Sequence, residues 1–312
     1  MDNLILAVNT VLPFLLYISF GYGIRSIKAV GEGFMDELNG LVFLAFFPLN
    51  MFCNVYDIPD GLHPDARLVI TALASIFILI ALLMMIVPLI VKENTRRGVI
   101  VQAIYRSNFV LFAVPLTEHI FGAEGKALAA MMIAFVIPTY NTMAVIILEY
   151  FHGGSVKPLQ LFHNIIKNPL IIGTLTGVAF RLLHIHLAQP IYQAVSAFAT
   201  LTTPIALFAL GGTLHFSALH DNLKYLAPAL AFKLVALPAL ILVVATLFGF
   251  TPIERFILFV LYATPVATSS YAMAKNMGGD GELAAQFVVF SSSVCILTLF
   301  LWIFALKTLG LI

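Results

Sequence analysis

Charge and cysteine are what this sequence has least of. Only 10% of its 312 residues are charged, while 61% are hydrophobic and 27 are phenylalanine. Soluble domains carry about 25% charged residues, so a water-exposed globular fold is excluded. The net charge of +1 comes without any basic block, which removes nucleic acid from the list of partners. The two cysteines, Cys53 and Cys295, both fall in apolar runs, and no disulfide framework follows; they read as buried thiols. His63, His119, His152, His163, His184, His186, His215 and His220 lie in or near loops without a shared helical spacing. They read as surface histidines rather than metal ligands, and the chain calls for no cofactor. Acid is nearly absent from the middle of the apolar runs, with Glu149 placed near the end of one.

What is present is an integral membrane protein built of helices. The mean hydropathy is +1.03, and the apolar runs far exceed the roughly ten-residue alternating strands of a membrane barrel. The N-terminus, MDNLILAVNTVLPF, lacks the positive segment of a cleaved signal and reads as a first spanning helix. Hydropathy and helix breakers predict ten spans. They run Leu4–Ile24, Leu38–Val55, Leu68–Val91, Gly98–Phe121 and Gly125–Phe151, then Pro169–Leu183, Pro190–Leu214, Leu223–Phe248, Ile253–Lys275 and Leu283–Leu309. A polar connection from His152 to Asn164 separates the two sets. Arg25, Lys28, Lys92, Arg96, Arg97, Lys157, Lys167, Lys224 and Lys275 fall on one side, and Arg67, Lys126, Arg181, Arg255 and Lys307 on the other. Nine against five places the first set in the cytoplasm of an inner (cell) membrane and both termini outside it.

The chain repeats itself at an offset of 156 residues. Pro13 meets Pro169, Gly21 meets Gly177, Arg25 meets Arg181, Pro48 meets Pro204, and FGAEGKALAA from Phe121 falls on MGGDGELAAQ from Met277. A unit of five spans is odd, so the second copy enters from the opposite face. Residues 1–151 are therefore expected to form a first five-helix repeat, 152–164 a cytoplasmic connection, and 165–312 an inverted second repeat. Inverted repeats place a substrate site near the bilayer midplane between the halves.

The fourth span of each half is the interrupted one. In YRSNFVLFAVP, Arg106 lies nine residues beyond Arg97, about 14 Å along the helix and near the middle of a core about 30 Å thick. A charge there costs roughly 2.5–3.5 kcal/mol and faces protein or an aqueous cavity. Ser107 and Asn108 follow, and Pro115 removes a backbone hydrogen bond, so the helix is expected to kink or open beside Asn108. Asn108 either meets a substrate or caps the carbonyls that Pro115 frees. In the ninth span Pro265 is followed by Thr268, Ser269 and Ser270. Two polar, proline-broken helices in corresponding spans would direct half-helix N-termini into a shared cavity, which suits an anion. Lys233, nine residues beyond Lys224, is as deep as Arg106. Both cations either attract an anion or satisfy freed carbonyls. Asn50, two residues after Pro48, either lines the cavity or packs between helices. The GGDG at Gly278–Gly281 is similar to the Gly-x-Gly-Asp of intramembrane aspartyl proteases. Met277 stands at the first glycine position and no second mid-membrane aspartate exists, so an enzyme is set aside and the segment reads as a turn.

NFVLFAVPL after Ser107 resembles the fourth-helix signature of the auxin efflux carrier family. FFPLNMF at Phe46–Phe52, TPIALFALGGTL at Thr203–Leu214, KLVALP at Lys233–Pro238 and PVATSSYAMAK at Pro265–Lys275 resemble its second, seventh, eighth and ninth helices. The resemblance covers the whole chain and matches the compact bacterial members; the long loop of many plant members is absent. It implies a ten-helix inverted-repeat fold with a scaffold part and a transport part, and fourth and ninth helices crossing at their breaks beside the substrate. Plant carriers tend to have a second proline in the ninth helix where this chain has Ser270, so the crossover need not share their geometry. Bacterial relatives include transporters of malonate, malate and similar carboxylates. The expected function is secondary transport of a small organic anion by alternating access. Asn108, Ser107, Ser269 and Ser270 would contact the substrate beside Pro115 and Pro265, with Arg106, Lys233 and Asn50 in support. The expected partners are that anion and the lipid bilayer, with protons and a homodimer left open. The rivals are a sodium symporter of bile-acid type, which would normally draw on mid-depth acids, and a passive anion channel or a membrane-bound receptor.

Overall fold

A computed structural model describes residues 2–58, 65–152, 158–214 and 219–312. Among these, every regular element is helical and no strand occurs. Helix α1 is Asp2–Ser26. Helix α2 (Glu32–Leu41), a π-helical turn (Val42–Phe46) and α3 (Phe47–Tyr56) form one rod. Then come α4 (Ala66–Ile90), α5 (Asn94–Tyr105), α6 (Phe109–His152), α7 (Pro158–Lys167), α8 (Pro169–Leu182) and α9 (Gln189–Thr213). A second rod combines α10 (Leu219–Ala231), a π-helical turn (Phe232–Ala236) and α11 (Leu237–Leu247). The chain closes with α12 (Pro252–Ala263), α13 (Ser269–Asn276) and α14 (Gly281–Thr308). Among the described residues, six helices are long and apolar enough to cross a membrane.

The remaining expected spans coincide with helices, but two of them are not single. Gly98–Phe121 divides into α5, an extended link at 106–108 and the start of α6. Ile253–Lys275 divides into α12, a link at 264–268 and α13. A further correction concerns the connection from His152 to Asn164, which is not simply polar. It contains most of α7, whose Leu159, Phe162 and Ile166 are exposed together, the pattern of a helix lying in a membrane interface.

Local chemistry explains the breaks and bulges. Each π turn ends just before a proline, Pro48 or Pro238. A proline ring clashes with the carbonyl four residues back and leaves it without a donor, and widening the preceding turn relieves the clash. The carbonyl four residues before Pro238 belongs to Leu234, and the Trp302 indole N–H takes it at 3.0 Å. Asp65, Asn168 and Asp280 cap α4, α8 and α14 through their side chains, and Thr251 with Glu254 forms a capping box on α12.

The packing is reciprocal between distant parts of the chain. Helix α1 lies along α9, and α3 lies along α8. A Cβ on Gly21 would overlap the Phe208 carbonyl, and one on Gly177 would lie 2.9 Å from the Phe52 carbonyl oxygen. Gly21 and Gly177 are 156 residues apart, and so are Phe52 and Phe208. Close helix approach through small residues is the usual mode of packing in lipid. The turns also correspond: Gly122 interrupts α6 at φ +67, and Gly278, 156 residues on, follows α13 at φ +75. Such left-handed backbone suits glycine.

Exposed large apolar side chains line α4, α11 and the outer faces of α1, α9 and α14, where lipid would lie. In contrast, Val99–Tyr105, Phe256–Ala263 and Ser269–Ala274 are buried on every side. The interrupted helices therefore run through protein, which is where non-helical backbone is tolerated at membrane depth. Cys53 and Cys295 are buried and unpaired.

Candidate functional site

The two interruptions meet. Arg106, at φ −91 and ψ 118, leaves α5 extended, and Thr264, at φ −89 and ψ 159, leaves α12 in the same way. Ser107 pairs with Val266 in an isolated antiparallel bridge, and the Asn108 N–H donates to the Pro265 carbonyl at 2.8 Å. Pro265 has no N–H to donate, while the Val266 N–H finds the Ser291 hydroxyl on α14 at 3.0 Å. The carbonyls left open at the end of α5 receive a donor from an adjacent helix. Lys233 Nζ, 1% exposed, donates to the carbonyls of Ile104 at 3.2 Å and Arg106 at 3.3 Å, and to Ser107 Oγ at 2.8 Å. Satisfying these groups allows unwound backbone to persist in an apolar setting.

A cavity of about 90 Å³ opens beside this junction. Asn108 with the first residues of α6, at 109–111, and the start of α13, with Thr268 and Ser269, line it from two sides, so both helix N-termini face it. Asn50, Asn54, Tyr140, Asn141 and Thr203 complete the polar wall, and no carboxylate is among the lining residues. Arg106 is the one cation in the wall. Its guanidinium donates to Asn141 Oδ1 and to the Met273 sulfur, and no acid pairs with it among the described residues. With the Gln102 amide oxygen turned toward it, the guanidinium gains a third acceptor, at 3.2 Å from Nη1. A buried cation held by neutral groups keeps its field available to an anion entering the cavity. The Asn108 side chain, 7% exposed, donates to no described residue and opens onto the same space.

Of the residues expected from sequence, Arg106, Ser107, Asn108, Ser269 and Asn50 come together on this cavity. Pro265 contributes its carbonyl to the junction. Pro115 lies inside α6 without interrupting it, so the opening beside Asn108 arises on the other side of that residue. Ser270 Oγ is buried without a hydrogen-bond partner among the described residues and does not line the cavity. Lys233 stands behind the junction, bound to backbone oxygens. Asn50 does both things its sequence position allowed, since it lines the cavity and donates to the Ala199 carbonyl at 3.1 Å.

Thr268, from the polar run after Pro265, also lines the cavity, while Asn54, Tyr140, Asn141 and Thr203 join it without having been singled out from the sequence. The clearest signal for Asn141 is an amide three residues after Pro138 in an otherwise apolar span. Gly278–Gly281 forms a turn in which Asp280 caps α14, pairs with Arg96 at 3.0 Å and donates its N–H to the Thr95 carbonyl. Among the described residues no three His, Cys, Asp or Glu side chains gather into a metal site. His63 and His215 lie outside the described residues.

A family model described as "Membrane transport protein" matches residues 6–303. A protein of Rhizobium meliloti (strain 1021) named "Putative malonate transporter" is 25% identical over 299 residues, covering 92% of each chain.

Proposed function

We propose that this chain, which belongs to the membrane transport protein family, is a secondary carrier that moves a small carboxylate across the membrane by alternating access. Membership of that family makes it a transporter rather than an enzyme, and matches the auxin efflux carrier resemblance of its motifs. The observation that carries the finer reading is the junction of two interrupted helices beside a small polar cavity without a carboxylate.

Each part of the wall has a role in this reading. The N–H groups at the starts of α6 and α13 have no partners within their own helices and attract negative charge. Arg106 supplies a full positive charge. Asn108 donates to a carboxylate oxygen, and the hydroxyls of Ser107, Thr268 and Ser269 complete the shell. A water needs about 10–15 Å³ of such space, so about 90 Å³ holds roughly six to nine, comparable to the heavy atoms of a short dicarboxylate. The malonate name of the Rhizobium relative makes that acid the first to test.

The carrier reading includes an inverted repeat of residues 1–151 and 165–312 forming ten spans whose fourth and ninth helices cross. The reciprocal Gly21–Phe208 and Gly177–Phe52 contacts and the paired turns at Gly122 and Gly278 support it. Lys233 is a positioning residue in this scheme. Its ammonium sits among three oxygens, the arrangement a bound metal cation would otherwise need, which argues against sodium at this point. The arginine and lysine bias favours an inner-membrane protein with both termini outside the cytoplasm.

Counterflow tests the function. Proteoliposomes preloaded with unlabelled malonate should accumulate labelled malonate faster than empty ones. Equal uptake by loaded and empty vesicles would identify a passive pore and contradict the carrier.

A further inference from the structure

Helices α4 and α10 both pack against α5 and leave the space between them open. The resulting groove has a volume of about 320 Å³, and its walls are almost wholly apolar, including Leu79, Leu83, Val87, Ile100 and Phe232. It runs along α4 from Leu79 to Val91, about 18 Å at the helical rise, close to the depth of one leaflet of a core about 30 Å thick. The inner end lies at Ile104, beside the junction of the interrupted helices. The outer end is different in kind. Lys224 is the one charged residue in the wall, and no described acid pairs with it.

Further cations gather at that end. Lys224 Nζ lies 5.0 Å and Arg96 Cζ 5.6 Å from the centroid of one ring, that of Tyr225. Arg97 closes the end of α4 through the Pro88 carbonyl at 3.2 Å and the Val91 carbonyl at 2.8 Å. Lys92 follows, exposed. The acids nearby are Asp280, already paired with Arg96, Glu282, which accepts from Gln286 at 3.5 Å, and the exposed Glu93 and Asp221. These cations belong to the set that orients toward the cytoplasm, where anionic lipid head groups attract basic residues.

We propose that this groove is a binding site for an anionic phospholipid, its acyl chain lying between α4 and α10 and its phosphate held by Lys224 and Arg96, the two cations that the Tyr225 ring gathers. One end of the groove is apolar for the length of a leaflet and the other is cationic at an interface, and only an amphiphile with a negative head matches both. A lipid there lies against α5, the helix whose last carbonyls Lys233 holds.

The test uses the purified full-length protein in detergent, titrated with phosphatidylglycerol or phosphatidylcholine. Native mass spectrometry reads occupancy, and thermal unfolding reads stabilisation by mass action. Phosphatidylglycerol should bind in preference and raise the melting temperature. Lys224→Glu, at an exposed position, should lower phosphatidylglycerol occupancy at least about fivefold and leave phosphatidylcholine unchanged. Ile86→Trp, on the exposed rim, should reduce binding of both lipids. Soluble glycerol phosphate should compete only weakly, because it lacks the chain. Equal binding of the two lipids, retained selectivity in Lys224→Glu, strong competition by glycerol phosphate, or a second copy of the chain masking the groove would each overturn the assignment.

Discussion

Replacing Lys233 with methionine tests how the interrupted helix is held. Methionine keeps much of the stem and removes the ammonium, so the Ile104 and Arg106 carbonyls and the Ser107 hydroxyl lose a shared donor. Each buried acceptor left unsatisfied costs about 1–3 kcal/mol. Against that, the variant no longer keeps an ammonium out of water, a penalty of several kcal/mol in the native protein. The loss is concentrated at the junction rather than spread over the fold, because all three acceptors lie there. Hydrogen exchange reads this locally. The Asn108 amide, bonded to the Pro265 carbonyl at 2.8 Å, should exchange at least about tenfold faster, while amides in α9 stay as they were. Unchanged exchange at Asn108 together with an unchanged melting temperature would refute the view that Lys233 stabilises the unwound segment.

Further outcomes follow from the same contacts. Arg106→Gln removes the one cation of the cavity wall, so malonate affinity should fall at least about tenfold, measured by calorimetry, with neutral analogues unaffected. Gly21→Ala and Gly177→Ala should each lower the melting temperature by several degrees, because the added Cβ meets backbone; Gly23→Ala, with open space at that point, should not. A benign Gly21→Ala would contradict the close packing of α1 on α9.

The sequence made the interrupted helices visible, because an arginine, an asparagine and serines in apolar spans have few explanations other than a polar interior. It misplaced the cause of the first break. Pro115 only removes a donor and crowds one turn, which α6 absorbs, whereas the backbone at 106–108 opens because the other link offers it a carbonyl. No local pattern reveals that partner. Lys233 was legible as an outlier, but its direction depends on the π turn before Pro238. Asn54 and Tyr140 reach the cavity only through the packing of α3 and α6 around it, so their roles have no local signature, whereas Asn141 carries one in its place three residues after Pro138. The 156-residue offset aligns Gly21 with Gly177 and Gly122 with Gly278; in the structure the first pair each meet the backbone of a neighbouring helix, and the second pair each have positive φ.

Asn108→Ala bears most directly on the central claim, that a small carboxylate binds where the two interrupted helices meet. The Asn108 backbone N–H, which holds the junction, survives the substitution, and the side chain supports no described residue. The purified variant should therefore melt within a few degrees of the parent protein without ligand. A hydrogen bond to a charged group is worth roughly 1.5–3 kcal/mol, so malonate affinity should fall about ten- to a hundredfold. Unchanged affinity in a variant with a lowered melting temperature would contradict the account and return Asn108 to a purely structural role.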